Sequence, residues 1–423
     1  MRVLSLPRWS GNNPTHPCAR ALRAGVLDII GMSRETRPMK NDTLTHDQIK
    51  ALTQLRHSLH QAPELSGAEA ATADTLSRFL RPTRPDQLIE GLGGDGLAVI
   101  YDSGEPGPSV LFRAELDALP IPEQTGLDYT SQTAGVAHLC GHDGHMAILA
   151  GLGLWLGGNR PARGRVILLF QPAEETGAGA RAVLNDPQFA SLRPDWAFAL
   201  HNMPGMAMGS VAVGAGPASC ASVGLRFRYH GREAHASLPE TGDSPATALA
   251  ALMAWVSRHS AAPEMGPGFR LATLCHLNMG VPAFGIAPAQ AEAFVTLRTV
   301  DDSGLEAFVQ DLSATAQAHA NGVSLEISRH DHFNATRNDS QAAGYVSRAR
   351  MALGLAQGDF ALPMRASEDF GALSAATRTA LFFLGAGEFH PALHNRDYDF
   401  PDALIPIGVS LFVRTLEEVL HDC

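Results

Sequence analysis

Hydrophobic and polar positions along this 423-residue chain follow two different periods. Apolar residues at three- and four-residue spacing in QIKALTQLRHSLH predict a helix around residue 50, and a second helical run extends from Ser66 to Leu80. Short, nearly continuous apolar stretches follow: GLAVIYD, SVLFRAELD, GRVILLFQP and PDWAFALH. Such runs are strand-like, and HMAILAGLGLWL and GAGARAVLND between or after them read as helices. Strands alternating with helices predict an α/β sheet flanked by helices.

From about Gly216 the pattern changes to longer alternating strands. ASVGLRFRYHG, FRLATLCHLNMG, AQAEAFVTLRTVD and VSLEISRHDHF carry period two, with the helical stretches SPATALAALMAWVSRHS and SGLEAFVQDLSATAQAHA among them. The order βαββαβ predicts a ferredoxin-like layer. After Phe333 the chain returns to helix and buried strand, ending in ALFFLGAGE and ALIPIGVSLFVRTLEEVL. The simplest organisation places residues 217–332 as a domain inserted into an α/β domain formed by 44–216 and 333–423. Residues 1–43 are expected to be a disordered extension: the first 38 hold six Arg against two acidic residues and no sustained period.

Composition narrows the function classes. With 45% hydrophobic and 18% charged residues the chain resembles an ordinary folded protein, and a formal charge of −11 argues against a nucleic-acid surface. No apolar run approaches the roughly 18 to 20 residues needed to span a bilayer, so no membrane partner is expected. Five cysteines (Cys18, Cys140, Cys220, Cys275 and Cys423) are odd in number and unpatterned, which favours a reducing cytoplasm over a disulfide framework.

Chemistry-bearing residues gather at strand ends of the α/β part, where ligands bind in open sheets. HLCGHDGH (138–145) places Cys140 and His142 so that both reach one ion or a close pair, although a capping turn with a buried free thiol has the same letters. In FQPAEETGAGA, adjacent Glu174 and Glu175 must point in different directions, so one could bind metal while the other moves protons; a solvated pair is the plainer alternative. His201 ends the apolar strand WAFALH, and His394 lies in the polar loop LHNRDYDF; each alone could be an ordinary histidine.

Taken in order, RAELDALP, CGHDGH, QPAEE, LHN and the late HNRDYDF resemble the amidohydrolase branch of the aminoacylase and carboxypeptidase metallopeptidases. That branch includes hippurate hydrolase, N-acyl-amino-acid hydrolases and auxin-conjugate hydrolases. RHSLHQAPELSGAE and SEDF match it too, and the resemblance covers about residues 50–423. It implies a metallopeptidase catalytic domain with a mixed sheet and an inserted lid or dimerisation domain. It also implies two divalent metal ions, zinc or manganese with cobalt a third candidate, held by Cys140, His142, Glu175, His201 and His394.

By the same resemblance Glu174 is the general base and acid, and Asp117 orients a ligand from behind it. His235, in GREAHASLP, stabilises the oxyanion in a neighbouring subunit's site, and Arg298 meets the substrate carboxylate. His138 is placed as a pocket-lining residue and His145 as a helix starter. The implied partner is a small N-acyl amino acid, and the implied assembly a homodimer or larger homo-oligomer formed through the lid. A dipeptidase or carboxypeptidase on the same scaffold is the alternative. The chain departs from the pattern at Glu115, where many relatives carry Asp, and at GIAP (285–288), where relatives often read N-V-I-P.

Overall fold

The computed structural model describes residues 43–261 and 264–422. Its helices are α1 (His46–Gln61), α2 (Ala70–Leu80), α3 (His142–Gly158), α4 (Gly179–Asn185), α5 (Ala246–His259), α6 (Asp302–Ala318), α7 (Ser340–Ala352) and α8 (Leu404–Asp422). The strands before the change of pattern are β1 (Gln87–Leu92), β2 (Gly96–Asp102), β3 (Ser109–Glu115), β4 (Arg165–Gln171), β5 (Trp196–Pro204), β6 (Val211–Ala212) and β7 (Gly216–Ser219). After it come β8 (Ala221–His230), β9 (Ala234–His235), β10 (Arg270–Met279), β11 (Ile286–Ala287), β12 (Gln290–Thr299), β13 (Ser324–Phe333), β14 (Thr336–Asn338) and β15 (Arg378–Gly387).

Seven strands form a mixed sheet in the order β1-β2-β4-β3-β5-β15-β6. The central pairs β4–β3, β3–β5 and β5–β15 are parallel, whereas β1, β2 and β6 pair antiparallel. Both faces are covered, which explains the unbroken apolar runs. One face presents Val99, Phe112, Leu168, Phe198 and Phe382 to a core shared with α1, α3, α7 and α8. The other presents Leu111, Ile167, Ala199 and Phe383 to a second core that includes Val183 of α4 and Phe370.

The second sheet is antiparallel throughout, in the order β10-β12-β8-β13, and the element order β8-α5-β10-β12-α6-β13 reproduces the expected βαββαβ. Its strands bury alternate residues. Val223, Leu225, Phe227, Val295 and Leu297 pack with Leu252 and Trp255 of α5 and Phe308 and Leu312 of α6. The intervening residues of β8 and β12 lie on the uncovered face.

Three local expectations change. The second helix starts at Ala70, because Ser66 instead donates its hydroxyl to Asp117 Oδ2 at 2.6 Å. Strand β1 was not anticipated; it is a sheet edge with only Ile89 and Leu92 buried, too weak a pattern to read as a strand. Residues 1–42 lie outside the described residues, but Thr43 does not behave as part of an extension, since its hydroxyl meets Ser410 on α8 at 3.0 Å. No helix among the described residues is long and apolar enough to cross a membrane.

A buried ionic cluster ties α1 to the start of α3. Arg56 Nη1 donates to Asp143 Oδ2 at 3.2 Å and Asp399 Oδ1 at 2.7 Å, and His60 bridges Asp143 (2.9 Å) and Glu123 (3.2 Å). Burial alone would lower the His60 pKa, but hydrogen bonds to Asp143 and Glu123 outweigh it and push the imidazole up to about 10. Burial alone would raise Asp143; the hydrogen bond and charge of His60, with Arg56, hold it well below the usual carboxylate range. Removing one partner strands buried charge, so Asp143→Ala should cost about 3 kcal/mol in urea unfolding near neutral pH. The His60 contribution is fully present below pH 6.5 and is lost as pH rises through about 10. The Asp143 contribution is present above pH 3.8 and is lost as pH falls through its depressed value. The wild-type advantage should therefore shrink at both extremes; a difference that stayed constant across that range would refute the pairing.

Candidate metal centre

The carboxyl ends of the parallel strands β3, β4, β5 and β15 deliver the chemistry to one cleft. Glu115 ends β3 and Asp117 follows it; Glu174 and Glu175 come three and four residues after β4; His201 lies on β5; and His394 follows β15. The turn Cys140–Gly141–His142 opens α3 beside them, with Gly141 as its N-cap at φ 91°. Ala173 and His394 also hold positive φ, 51° and 66°. Non-glycine residues persist there only where their surroundings over-determine the backbone.

Main-chain carbonyls set the state of two imidazoles. His142 Nδ1 lies 2.8 Å from Asp117 O, and His201 Nδ1 lies 2.8 Å from Asn202 O. A carbonyl can only accept, so each Nδ1 carries the proton and each Nε2 offers a lone pair to the cleft when the ring is neutral. Burial, then the charge of His145, lowers His201 to about 3, which keeps that ring neutral.

Around these lone pairs the donor atoms converge. Cys140 Sγ is 3.5 Å from His201 Nε2, His142 Nε2 is 3.9 Å from both Glu174 Oε2 and Glu175 Oε1, and His394 Nε2 is 3.7 Å from Glu175 Oε1. Cys140, His142 and His201 place ligand atoms within 4.8 Å of one another, as do Cys140, Glu175 and His394. His142 Nε2 and Glu175 Oε1 are buried without a hydrogen-bond partner, which is the condition of donors arranged for a cation. Burial, and next Glu175, push the Cys140 thiol well up. A nucleophilic cysteine needs the opposite shift.

Glu174 faces a second set of acids. Its carboxylate clusters with Glu368 and Asp369 within 4.8 Å, and burial, then Glu368, Glu175 and Asp369, raise its pKa well above the ordinary value. Arg113 answers these acids: Nη2 donates to Glu368 Oε1 at 3.0 Å and Asp369 Oδ1 at 2.6 Å, and Nη1 pairs with Glu115.

The expected residues are therefore distributed unevenly. Cys140, Glu174, Glu175, His201, His394 and Arg298 line one cavity of about 270 Å³, and Arg298 Nη1 donates to Ser367 Oγ at 2.8 Å. Asp117 holds His142 through its main-chain oxygen; its carboxylate Oδ1 stands 3.6 Å from that ring, while Oδ2 accepts the Glu175 N–H at 2.9 Å. His235 is exposed on β9, bonded to Ser237 Oγ at 2.7 Å, and does not line the cavity.

The placement of His138 in the pocket is corrected. That ring is 1% accessible, is absent from the cavity wall, stands 6.4 Å from the His60 ring, and is lowered to about 4 by burial. His145 does lie in the first turn of α3, its amide donating to Gly141 O at 3.0 Å, and its buried ring has further contacts, with Nδ1 2.7 Å from Glu115 Oε2 and Nε2 2.6 Å from Asn202 Oδ1. Arg113 and Asn202 were missed. The visible signal was a charged Arg–x–Glu ending a buried strand that is otherwise apolar after Ser109.

A cleft ringed by nitrogen, oxygen and sulfur donors with a buried carboxylate beside them defines a metallohydrolase class of site. The chain belongs to peptidase family M20/M25/M40, whose model matches residues 111–418, and it is a hydrolase of amide bonds. It is 32% identical to the N-acetyl-L-cysteine deacetylase of Bacillus subtilis, over 87% of this chain and 86% of that one. It is 30% identical to the hippurate hydrolase of Campylobacter jejuni, over 85% and 94%. Among solved structures, a dinuclear metal-binding M20 peptidase from Bacillus subtilis superposes with a TM-score of 0.75 at 24% identity, covering 90% of this chain and all of that one.

Gly141 holds the two halves of the Cys140–His142 turn together. A Cβ there would lie 2.3 Å from Asn202 Oδ1 and 2.9 Å from Tyr398 Oη, at a φ that side chains resist. Gly141→Ala should cost at least about 2 kcal/mol in thermal or urea unfolding and weaken zinc uptake in equilibrium dialysis about tenfold. Unaltered uptake would mean the turn does not hold the donors in place.

Proposed function

We propose that this chain is a dinuclear metal-dependent amidohydrolase that splits N-acyl amino acids into a carboxylate and a free amino acid. The observation that carries the reading is the convergence of the Cys140, His142, Glu175, His201 and His394 donor atoms beside the buried Glu174 carboxylate. These five residues would hold two divalent ions, and the mixed sulfur, nitrogen and oxygen set suits zinc, with manganese or cobalt able to substitute. When bound, the ions supply Lewis acidity that activates water and polarises the amide carbonyl.

The chain's own groups handle the rest. Glu174 takes a proton from the attacking water and delivers it to the leaving amine. Its apolar burial and acidic neighbours favour holding that proton between the two steps. Arg298, on the cavity wall, pairs with the substrate carboxylate. His235 is exposed and does not line its own cavity, which fits a residue that serves a neighbouring subunit's oxyanion, so the proposed assembly is a homodimer formed through the lid of residues 217–332. The names of the relatives support an acyl amino acid over a peptide. Free Cys140, Cys220 and Cys275 fit a reducing cytoplasm.

Hydrolysis of N-acetyl- and N-benzoyl-amino acids should vanish with a chelator and return with added zinc or manganese. Glu174→Gln should cut kcat about 10³-fold or more, with the metal content measured by elemental analysis unchanged. An active Glu174→Gln enzyme would reject the assignment of the base. Since a neighbouring negative charge raises the Glu174 pKa, Glu368→Gln should move the acid limb of the kcat/KM profile to lower pH. A limb that stayed in place would show that Glu368 does not act on the base.

A further inference from the structure

The uncovered face of the lid sheet continues the metal cleft. Ser222 and Gly224 of β8, Thr296 and Arg298 of β12, and Asp331 and Phe333 of β13 all line the cavity that holds Cys140 and His394. A second trough, of about 400 Å³, runs outward over the same sheet and shares Gly224, Thr296 and Asp331 with the first. The two are joined where the sheet carries no side chain: a Cβ on Gly224 would already sit 3.3 Å from His330 O, and anything larger would project into the passage.

Register places two opposite charges across that passage. Arg298 pairs with Ser222, and Ser222 with Phe333, so these three form one row; Thr296, Gly224 and His330 form the next. Between the rows β13 bulges, setting two residues, Asp331 and His332, against one on β8. Asp331 takes φ 46° there, a conformation that Asp tolerates better than most residues. Arg298 and Asp331 thus flank the small residues Ser222 and Gly224 with two strands' width between their backbones, about 10 Å.

The charges around Asp331 are already engaged elsewhere. Arg226 is bound to Glu292, Arg329 to Glu306, and Arg181 to His332 and Asn334. The Asp331 carboxylate is exposed at the border of both cavities and has no hydrogen-bond or ion-pair partner among the described residues. An unpaired carboxylate at the far end of a cleft whose near end holds an arginine selects a molecule with the complementary order of charges.

Building on the amidohydrolase reading, we propose that Asp331 is a specificity-determining residue for N-acyl amino acids whose side chain ends in an ammonium or guanidinium group. The α-carboxylate meets Arg298, the aliphatic stem crosses over Gly224, and the distal cation meets Asp331. The test compares kcat/KM of the metal-loaded enzyme for Nα-acetyl-lysine and Nα-acetyl-norleucine, which differ in the terminal ammonium, with N-acetyl-alanine as a short control. The wild type should favour lysine about tenfold, the scale of a charge-assisted contact, and less so as salt is raised. Asp331→Asn keeps a residue tolerant of positive φ while removing the charge, and should bring the ratio close to one. Gly224→Val should depress the lysine substrate far more than the alanine one. No preference in the wild type, or one that survives in Asp331→Asn, overturns the proposal while leaving the amidohydrolase reading intact. Failure to hydrolyse any of the three would overturn that reading and this proposal with it.

Discussion

The whole carboxyl edge of the large sheet depends on one buried guanidinium. Arg113 is 1% accessible, yet it binds Gln171 through Nε and Glu115, Glu368 and Asp369 through its two terminal nitrogens. Acids taken out of water carry a desolvation penalty of several kcal/mol each unless paired and hydrogen-bonded, and a planar five-donor fork can serve several at once. From Glu115 the contacts run on without a break. Glu115 fixes His145, His145 fixes Asn202, and the Asn202 carbonyl fixes the His201 ring. The orientation of the His201 ring at the cleft is thus linked to a charge two residues inside the carboxyl end of β3.

Two groups of buried polar atoms meet around the cleft. Those behind the cleft, including Arg113, Glu115, His145 and Asn202, are bonded to one another and form a rigid backing. Those facing it, His142 Nε2 and Glu175 Oε1 among them, are buried and unpartnered. Isolated from its backing, such a set would neutralise or collapse; supported by it, the set stays open. The uncovered face of the four-stranded sheet lines the same cleft differently, with the small Ser222 and Gly224 between the charged Arg298 and Asp331.

The architecture was legible because its signals are local: unbroken apolar runs for a sheet covered on both faces, alternation for the half-covered one, and periodicity for the helices. The residues that converge at the cleft were legible as letters at strand ends and as an ordered set of motifs. The backing was not. Its members contact one another across large sequence separations, Arg113 to Asp369 and His145 to Asn202, and no spacing along the chain encodes such pairs. His138 shows the complementary difficulty. It stands two residues before Cys140, yet its ring turns into the interior next to His60, because neighbours in a tight turn need not share a direction. Strand β1 escaped notice because an edge with two buried residues has too little period to detect.

His394 has half its side chain exposed, its backbone in the left-handed region, and its amide donating to Leu139 O at 2.8 Å. It joins a cleft whose other groups begin at Glu115, and α8, which follows it, packs on α3, the helix that His142 opens. The consequence concerns time. A nascent chain emerges from its amino end, so the early strands and the Cys140–His142 turn exist before their last companion and before the helix that seals their core. Contacts of such high sequence separation form late and slowly. Until they do, the thiol and imidazoles of the early part of the chain stand without the carboxyl-terminal companions that enclose them in the finished fold.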